Sequence, residues 1–82
     1  MVDAFADEME ARLAENRYKG GWGNETPGWL LGRLIHEMGI LAHLLIEDGK
    51  TPIQIRGECA DIANFAMMIS DVAGGLKPKE GA

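Results

Sequence analysis

Acidic side chains within apolar segments are the residues of this sequence that could do chemistry. Glu37 lies in one such segment, and Glu58 and Asp61 lie together in another. The surrounding residues are Leu, Ile, Ala and Met, and an unpaired carboxylate is costly to bury among them. A divalent cation would compensate for these charges. The pattern therefore suggests a metal-dependent enzyme that handles phosphate groups.

The spacing of these acids predicts where their side chains point. Residues three apart share a face of a helix, so Glu58 and Asp61 should lie side by side, where their charges repel. Magnesium suits such a pair, because it takes hard oxygen ligands and keeps several waters. Glu37 can supply a third oxygen if two helices pack antiparallel. The alternative is that Glu58 and Asp61 pair with Arg56 or Arg33 at the surface, and spacing alone favours neither interpretation.

Three helices account for nearly the whole sequence. Threonine is a good N-cap and proline is tolerated at the first helical position, so each Thr-Pro pair marks a helix start. The expected limits are Val2 to Arg17, a Thr26-Pro27 start with a Gly49 stop, and a Thr51-Pro52 start with a Gly74-Gly75 stop. No segment alternates apolar and polar residues as a strand would. The sequence predicts an all-α fold, with one domain over residues 1–75 and a flexible tail over residues 76–82.

Composition limits the partners of the chain. With 82 residues, 46% of them hydrophobic, one small domain is expected, and its uncovered apolar surface favours self-association. The net charge of −5 argues against nucleic acid and anionic membranes. Cys59 is the only cysteine, which excludes an internal disulfide. No signal peptide and no apolar run of about 20 residues is evident, so a cytoplasmic location is expected.

Three segments occur in an order that resembles the MazG-like branch of the all-α nucleoside triphosphate pyrophosphatases. They are the Tyr-Lys-Gly-Gly-Trp segment at 18–22, the helix with Glu-Met-Gly at 37–39, and the run Glu-Cys-Ala-Asp-Ile-Ala-Asn-Phe at 58–65. The similarity covers about residues 16–72. It implies a helical chain that assembles as a homodimer or a dimer of dimers. It also implies Mg²⁺-dependent hydrolysis of a nucleoside triphosphate to a monophosphate and pyrophosphate.

The resemblance also implies the metal ligands. The family holds its metal with Glu-x-x-Glu on one helix and Glu-x-x-Asp on the next, which makes Glu37, Glu58 and Asp61 the ligands and catalytic residues. Ile40 stands where the pattern has its fourth carboxylate, so affinity and turnover are expected to suffer. Manganese could replace magnesium. The alternative function is a catalytically impaired helical dimer that binds a nucleotide or another protein.

Residues on the substrate side of the site follow from the same resemblance. Lys19 resembles the loop lysine that reaches the nucleotide. Trp22, between glycines, either packs over the helices or stacks on a base, and packing is the better interpretation. Asn64 is implied to contact the nucleotide, with a helix–helix contact as the alternative. His36 or His43 could lend a nitrogen to the metal, although a packing or polar-edge role suits both histidines better.

Overall fold

The structure, a computed structural model, describes residues 1–15, 22–47 and 51–74. These residues form three helices, α1 (Val2–Glu15), α2 (Pro27–Ile46) and α3 (Pro52–Val72), and no strand occurs among them. The predicted all-α class is therefore confirmed. The expected end of the first helix at Arg17, the Gly49 stop and the flexible tail at 76–82 lie outside the described residues.

The two predicted Thr-Pro helix starts are confirmed by their hydrogen bonds. The Thr26 hydroxyl accepts the backbone N–H of Trp29 at 3.1 Å. Thr51 forms a complete capping box, because its hydroxyl accepts the Gln54 N–H at 3.2 Å and its own N–H donates to the Gln54 side chain at 2.8 Å. These bonds satisfy backbone N–H groups that the first turn of a helix leaves without partners.

The end of α3 also follows its sequence signal. Gly74 has φ of 91°, a left-handed conformation that a residue with a Cβ adopts only at a cost. Its N–H donates to the Asp71 carbonyl at 2.9 Å, and the Ala73 N–H donates to the Ile69 carbonyl at 2.9 Å. Glycine is thus needed at position 74 to end the helix, as the sequence predicted.

The core lies between α3 and its two neighbours, because α1 and α2 both pack on α3. Its buried centre is the cluster of Leu30, Phe65 and Met68. Partly buried side chains surround this cluster: Leu13, Trp22, Leu34, Ile69 and Val72. No residue of α1 is fully buried, although Leu13 reaches the cluster. Because this apolar core is small, polar contacts contribute substantially to holding α1 on α3.

Helix α2 carries two stripes of mostly apolar residues, each with the alternating four-and-three spacing of a helix packing seam. The inner stripe is buried or half-buried and consists of Leu30, Leu34, Glu37, Leu41 and Leu44. The outer stripe is exposed and consists of Leu31, Ile35, Met38, Ala42 and Leu45. The four large side chains of the outer stripe are 48–60% exposed. Helix α2 is therefore apolar well beyond the side that packs on α3.

Helix α2 also has the length and apolar composition of a membrane-crossing helix. It is the one such helix in the described ranges, and 11% of its most apolar window is buried within the chain. Helices in the cores of soluble proteins meet the same criterion, so this is weak grounds for a membrane span. The expectation that the chain does not contact a membrane stays a prediction.

Candidate metal site

The packing of α2 on α3 brings together the three carboxylates that the sequence singled out. One oxygen each from Glu37, Glu58 and Asp61 lie within 4.8 Å of one another. These residues, called the acidic triad below, are 8%, 8% and 6% exposed respectively. Glu37 comes from the middle of α2, and the other two come from consecutive turns of α3. A buried cluster of three carboxylates can hold a metal ion.

The environment of Glu58 is unfavourable for a negative charge. Its Oε2 is buried and has no hydrogen-bond partner among the described residues. Burial raises the pKa of Glu58 to about 7, and its hydrogen bond to Glu37 and the negative charges of Glu37 and Asp61 add to this effect. A divalent cation would supply the partner that this oxygen lacks. The residues present therefore fit a metal ion, by both their chemistry and this orphaned oxygen.

Asp61 is held by a cation from the first helix. Nε of Arg12 donates to Oδ1 of Asp61 at 2.9 Å, and Nη2 donates to Oδ2 at 2.6 Å. This bidentate hydrogen bonding raises the pKa of Arg12 above its ordinary value. The guanidinium lies over Gly57, where a Cβ would stand 3.2 Å from Nη1. Glycine at position 57 thus gives Arg12 the room to reach Asp61.

Arg12 is the site residue that sequence reasoning missed. The alternative considered for the acids was pairing with Arg56 or Arg33 at the surface, yet both acids are buried. Arg56 instead donates to Glu8 at 3.1 Å, and Arg33 lies 3.9 Å from an oxygen of Glu37. No local signal in the sequence indicates the pair with Asp61, because Arg12 and Asp61 are 49 residues apart along the chain.

Asn64 lies one turn beyond the acidic triad and serves a helix–helix contact. Its Nδ2 donates to the backbone carbonyl of Met9 at 2.9 Å, which joins α3 to α1. The residue is 2% exposed, and its Oδ1 is buried without a hydrogen-bond partner in the described ranges. This contact agrees with the alternative stated for Asn64, and its role toward a nucleotide stays a prediction.

Trp22 lies at the other end of α3. Its Nε1 donates to Oδ2 of Asp71 at 3.0 Å, and its ring packs against the core cluster. Asp71 is ten residues after Asp61, which corresponds to about 15 Å along a helix. The packing interpretation of Trp22 agrees with this position, and base stacking stays a prediction. Lys19 lies outside the described residues.

The remaining candidates do not complete the acidic triad. Ile40 is 37% exposed and offers no ligand atom. Nε2 of His36 lies 3.9 Å from an oxygen of Glu37, beyond hydrogen-bond distance. His43 pairs with Glu47 at 2.8 Å on an exposed part of α2. Within the part of the chain that the structure describes, the acidic triad is the only cluster of three or more His, Cys, Asp or Glu side chains that could hold a metal ion.

No protein-family model matches this sequence, and no curated protein or solved structure matches it at a significant level. Conclusions about the site therefore rest on the geometry and electrostatics of the described residues.

Proposed function

We propose that the protein is a Mg²⁺-dependent nucleoside triphosphate pyrophosphohydrolase, which releases a nucleoside monophosphate and pyrophosphate. One observation carries the proposal. Three carboxylates are buried together with an oxygen from each within 4.8 Å, and one oxygen of Glu58 has no hydrogen-bond partner among the described residues. The order of the sequence motifs that resemble MazG-like pyrophosphatases supplies the substrate class and the reaction.

The charge of the acidic triad supports a divalent cation as its ligand. In the metal-free protein, the bidentate pair with Arg12 offsets at most one of the three negative charges that the ionised carboxylates would carry. Arg33 lies 3.9 Å from Glu37 and is itself half exposed, so it adds little. The remaining charge is suited to a doubly charged ion. Magnesium prefers such carboxylates and retains waters where protein ligands are lacking, as at Ile40.

The chain's own residues would have separate tasks in the reaction. Glu37, Glu58 and Asp61 would hold the cation from two helices, and their burial would restrict access of bulk water. When bound, Mg²⁺ supplies positive charge for the phosphates and lowers the pKa of water for attack at the α-phosphorus. Lys19 is proposed to add positive charge near the phosphates, which bring roughly four negative charges to the site.

The test is pyrophosphate release from a panel of nucleoside triphosphates with Mg²⁺ or Mn²⁺. We expect Glu58→Gln and Glu37→Gln to lower the rate by at least about 100-fold, since even partners that only support a ligand cost about 10–100-fold. Both variants leave the Arg12–Asp61 pair untouched. Glu47→Gln is the matched control, because Glu47 is an exposed carboxylate that pairs with His43. Equal rates in all four proteins would contradict the proposal.

The second candidate is a catalytically impaired helical dimer that binds a nucleotide or another protein. Ile40 favours it, because an apolar, partly exposed side chain occupies the position of the fourth expected ligand. Calorimetry distinguishes the two candidates. Nucleotide binding that requires Mg²⁺ but gives no pyrophosphate would support the impaired protein, whereas release that depends on the acidic triad supports the enzyme.

The proposed assembly is a homodimer that buries the outer stripe of α2. A stripe of this kind can pair with its own copy about a twofold axis, which is the commonest symmetry of soluble oligomers. Gly28, Gly32 and Gly39 lie beside the stripe, and a Cβ added at any of them would have none of the described residues within 4 Å. A second helix could therefore approach α2 closely at these positions. Two such dimers could assemble into a dimer of dimers.

A further inference from the structure

A cationic side chain of the protein, the guanidinium of Arg12, already contacts the acidic triad. Arg12 engages both oxygens of Asp61, at 2.9 Å and 2.6 Å. The side chain of Asp61 is 7% exposed, whereas that of Arg12 is 28% exposed. A buried carboxylate without a partner is costly, so this guanidinium stabilises the triad in the metal-free protein.

We infer that Arg12 neutralises the charge of Asp61 in the metal-free protein, and that a divalent cation must displace Arg12 from Asp61 in order to bind. This inference rests on the proposed metal site. Both oxygens of Asp61 already accept hydrogen bonds from a guanidinium, and a guanidinium beside a doubly charged ion is repelled by it. The orphaned Oε2 of Glu58 attracts the ion to the same cluster. Entry of the ion and retention of the Arg12–Asp61 pair therefore oppose each other.

Displacement of Arg12 has a consequence for α1, because polar contacts join this helix to α3. The contacts are Arg12 with Asp61, Glu8 with Arg56, and the Met9 carbonyl with Asn64. No residue of α1 is fully buried, so loss of the one bidentate pair among these contacts weakens the docking of α1. Cation binding is thereby coupled to a looser first helix.

The test compares the wild type with Arg12→Met, which keeps an unbranched apolar side chain and removes the charge. Calorimetry with Mn²⁺ should give a dissociation constant at least about 10-fold lower for the variant, because the competing cation is gone. In the absence of metal the same variant should melt at a lower temperature, because Asp61 loses its bidentate pair with Arg12. Higher metal affinity combined with lower metal-free stability is a pattern that a purely structural arginine would not produce.

Arg56→Met is the matched control, because Arg56 joins α3 to α1 through Glu8 and lies outside the acidic triad. Its Mn²⁺ affinity should equal that of the wild type. Amide hydrogen exchange gives an independent measurement: Mn²⁺ should accelerate exchange in α1 of the wild type. If Arg12→Met is unfolded without metal, circular dichroism should show it folding as Mn²⁺ is added, and failure to fold at any Mn²⁺ concentration overturns the inference.

The outcomes separate this inference from the proposed function. Unchanged or weaker Mn²⁺ binding by Arg12→Met, with pyrophosphate release intact in the wild type, overturns the role of Arg12 and leaves the hydrolase proposal standing. Tighter Mn²⁺ binding by Arg12→Met, without pyrophosphate release from any nucleotide, supports the displacement of Arg12 and contradicts hydrolysis.

Discussion

Glu58 is the residue whose charge state depends most on folding. In the unfolded chain its carboxyl has the ordinary pKa of 4.5, and in the folded chain burial raises that pKa to about 7. Between these pH values the folded protein holds a proton on Glu58 that the unfolded chain has released. The corresponding stability is fully present below about 4.5 and is lost as the pH rises through about 7.

We therefore predict that the metal-free protein loses stability between pH 4.5 and about 7 through this one residue. Glu58→Gln removes the ionisable group and keeps the shape of the side chain, so its melting temperature should fall less over this range. The measurement is the difference between the two melting curves as a function of pH, without metal. Glu47→Gln should follow the wild type. Parallel curves for wild type and Glu58→Gln would show that Glu58 titrates normally.

Asp61 illustrates what the sequence could and could not predict about the site. Helical spacing alone predicted that Asp61 and Glu58 share a face of one helix. Glu37 was predicted to lie near them because a short connection favours antiparallel packing of consecutive helices. The partner of Asp61, Arg12, is 49 residues away along the chain. That contact depends on which face of α1 docks on α3. The apolar residues that recur at helical spacing in α1 are Val2, Phe5, Met9 and Leu13, and they give no indication of Arg12.

The helices themselves were predictable because their signals are local. Each Thr-Pro start is set by residues within one turn, and the capping bonds of Thr26 and Thr51 form as the sequence indicated. The docking of α1 was not predictable to the same degree. Val2 is 76% exposed and Phe5 is 36% exposed, whereas Leu13 packs against the core cluster, so the apolar residues of α1 are better shielded toward its end.

At the scale of the element, we predict that Thr51→Ala lowers the free energy of unfolding by about 1 kcal/mol, the usual value of an N-cap. The substitution removes a hydroxyl that accepts the Gln54 N–H and leaves the core unchanged. Urea denaturation followed by circular dichroism measures the effect. Thr51→Ser is the matched control, because it keeps the hydroxyl, and it should retain most of the stability. An equal loss in both variants would contradict a capping role.

At the scale of the whole molecule, many large apolar side chains are exposed and only a few are buried in the core. Outside the outer stripe, Trp29, Ile40 and Ile46 of α2 are also 51%, 37% and 80% exposed. Large exposed apolar patches mark interaction sites on soluble proteins. A second copy of the chain is the occupant proposed above, and a lipid bilayer would be the other environment in which such a surface is stable.

We predict that Ile35→Glu converts the proposed dimer or dimer of dimers to a monomer, because Ile35 is the most exposed of the four large side chains of the outer stripe, at 60%. Analytical ultracentrifugation of wild type and variant measures the assembly. Ile53→Glu is the control, since Ile53 is 68% exposed on α3 and lies outside the stripe. A monomeric wild type that sediments with phospholipid vesicles would identify lipid as the occupant and exclude the dimer.

Because Trp22 is hydrogen-bonded to Asp71, its intrinsic fluorescence can report whether the segment before α2 remains in contact with α3. The Trp22 indole is partly shielded against the core cluster and fixed to a carboxylate at one end of α3, whereas Trp29 is half exposed to solvent. Fluorescence from a solvated indole is expected to lie at longer wavelength than fluorescence from a shielded one. A red shift in emission would therefore signal that the segment before α2 has detached from α3, without any label attached to the protein.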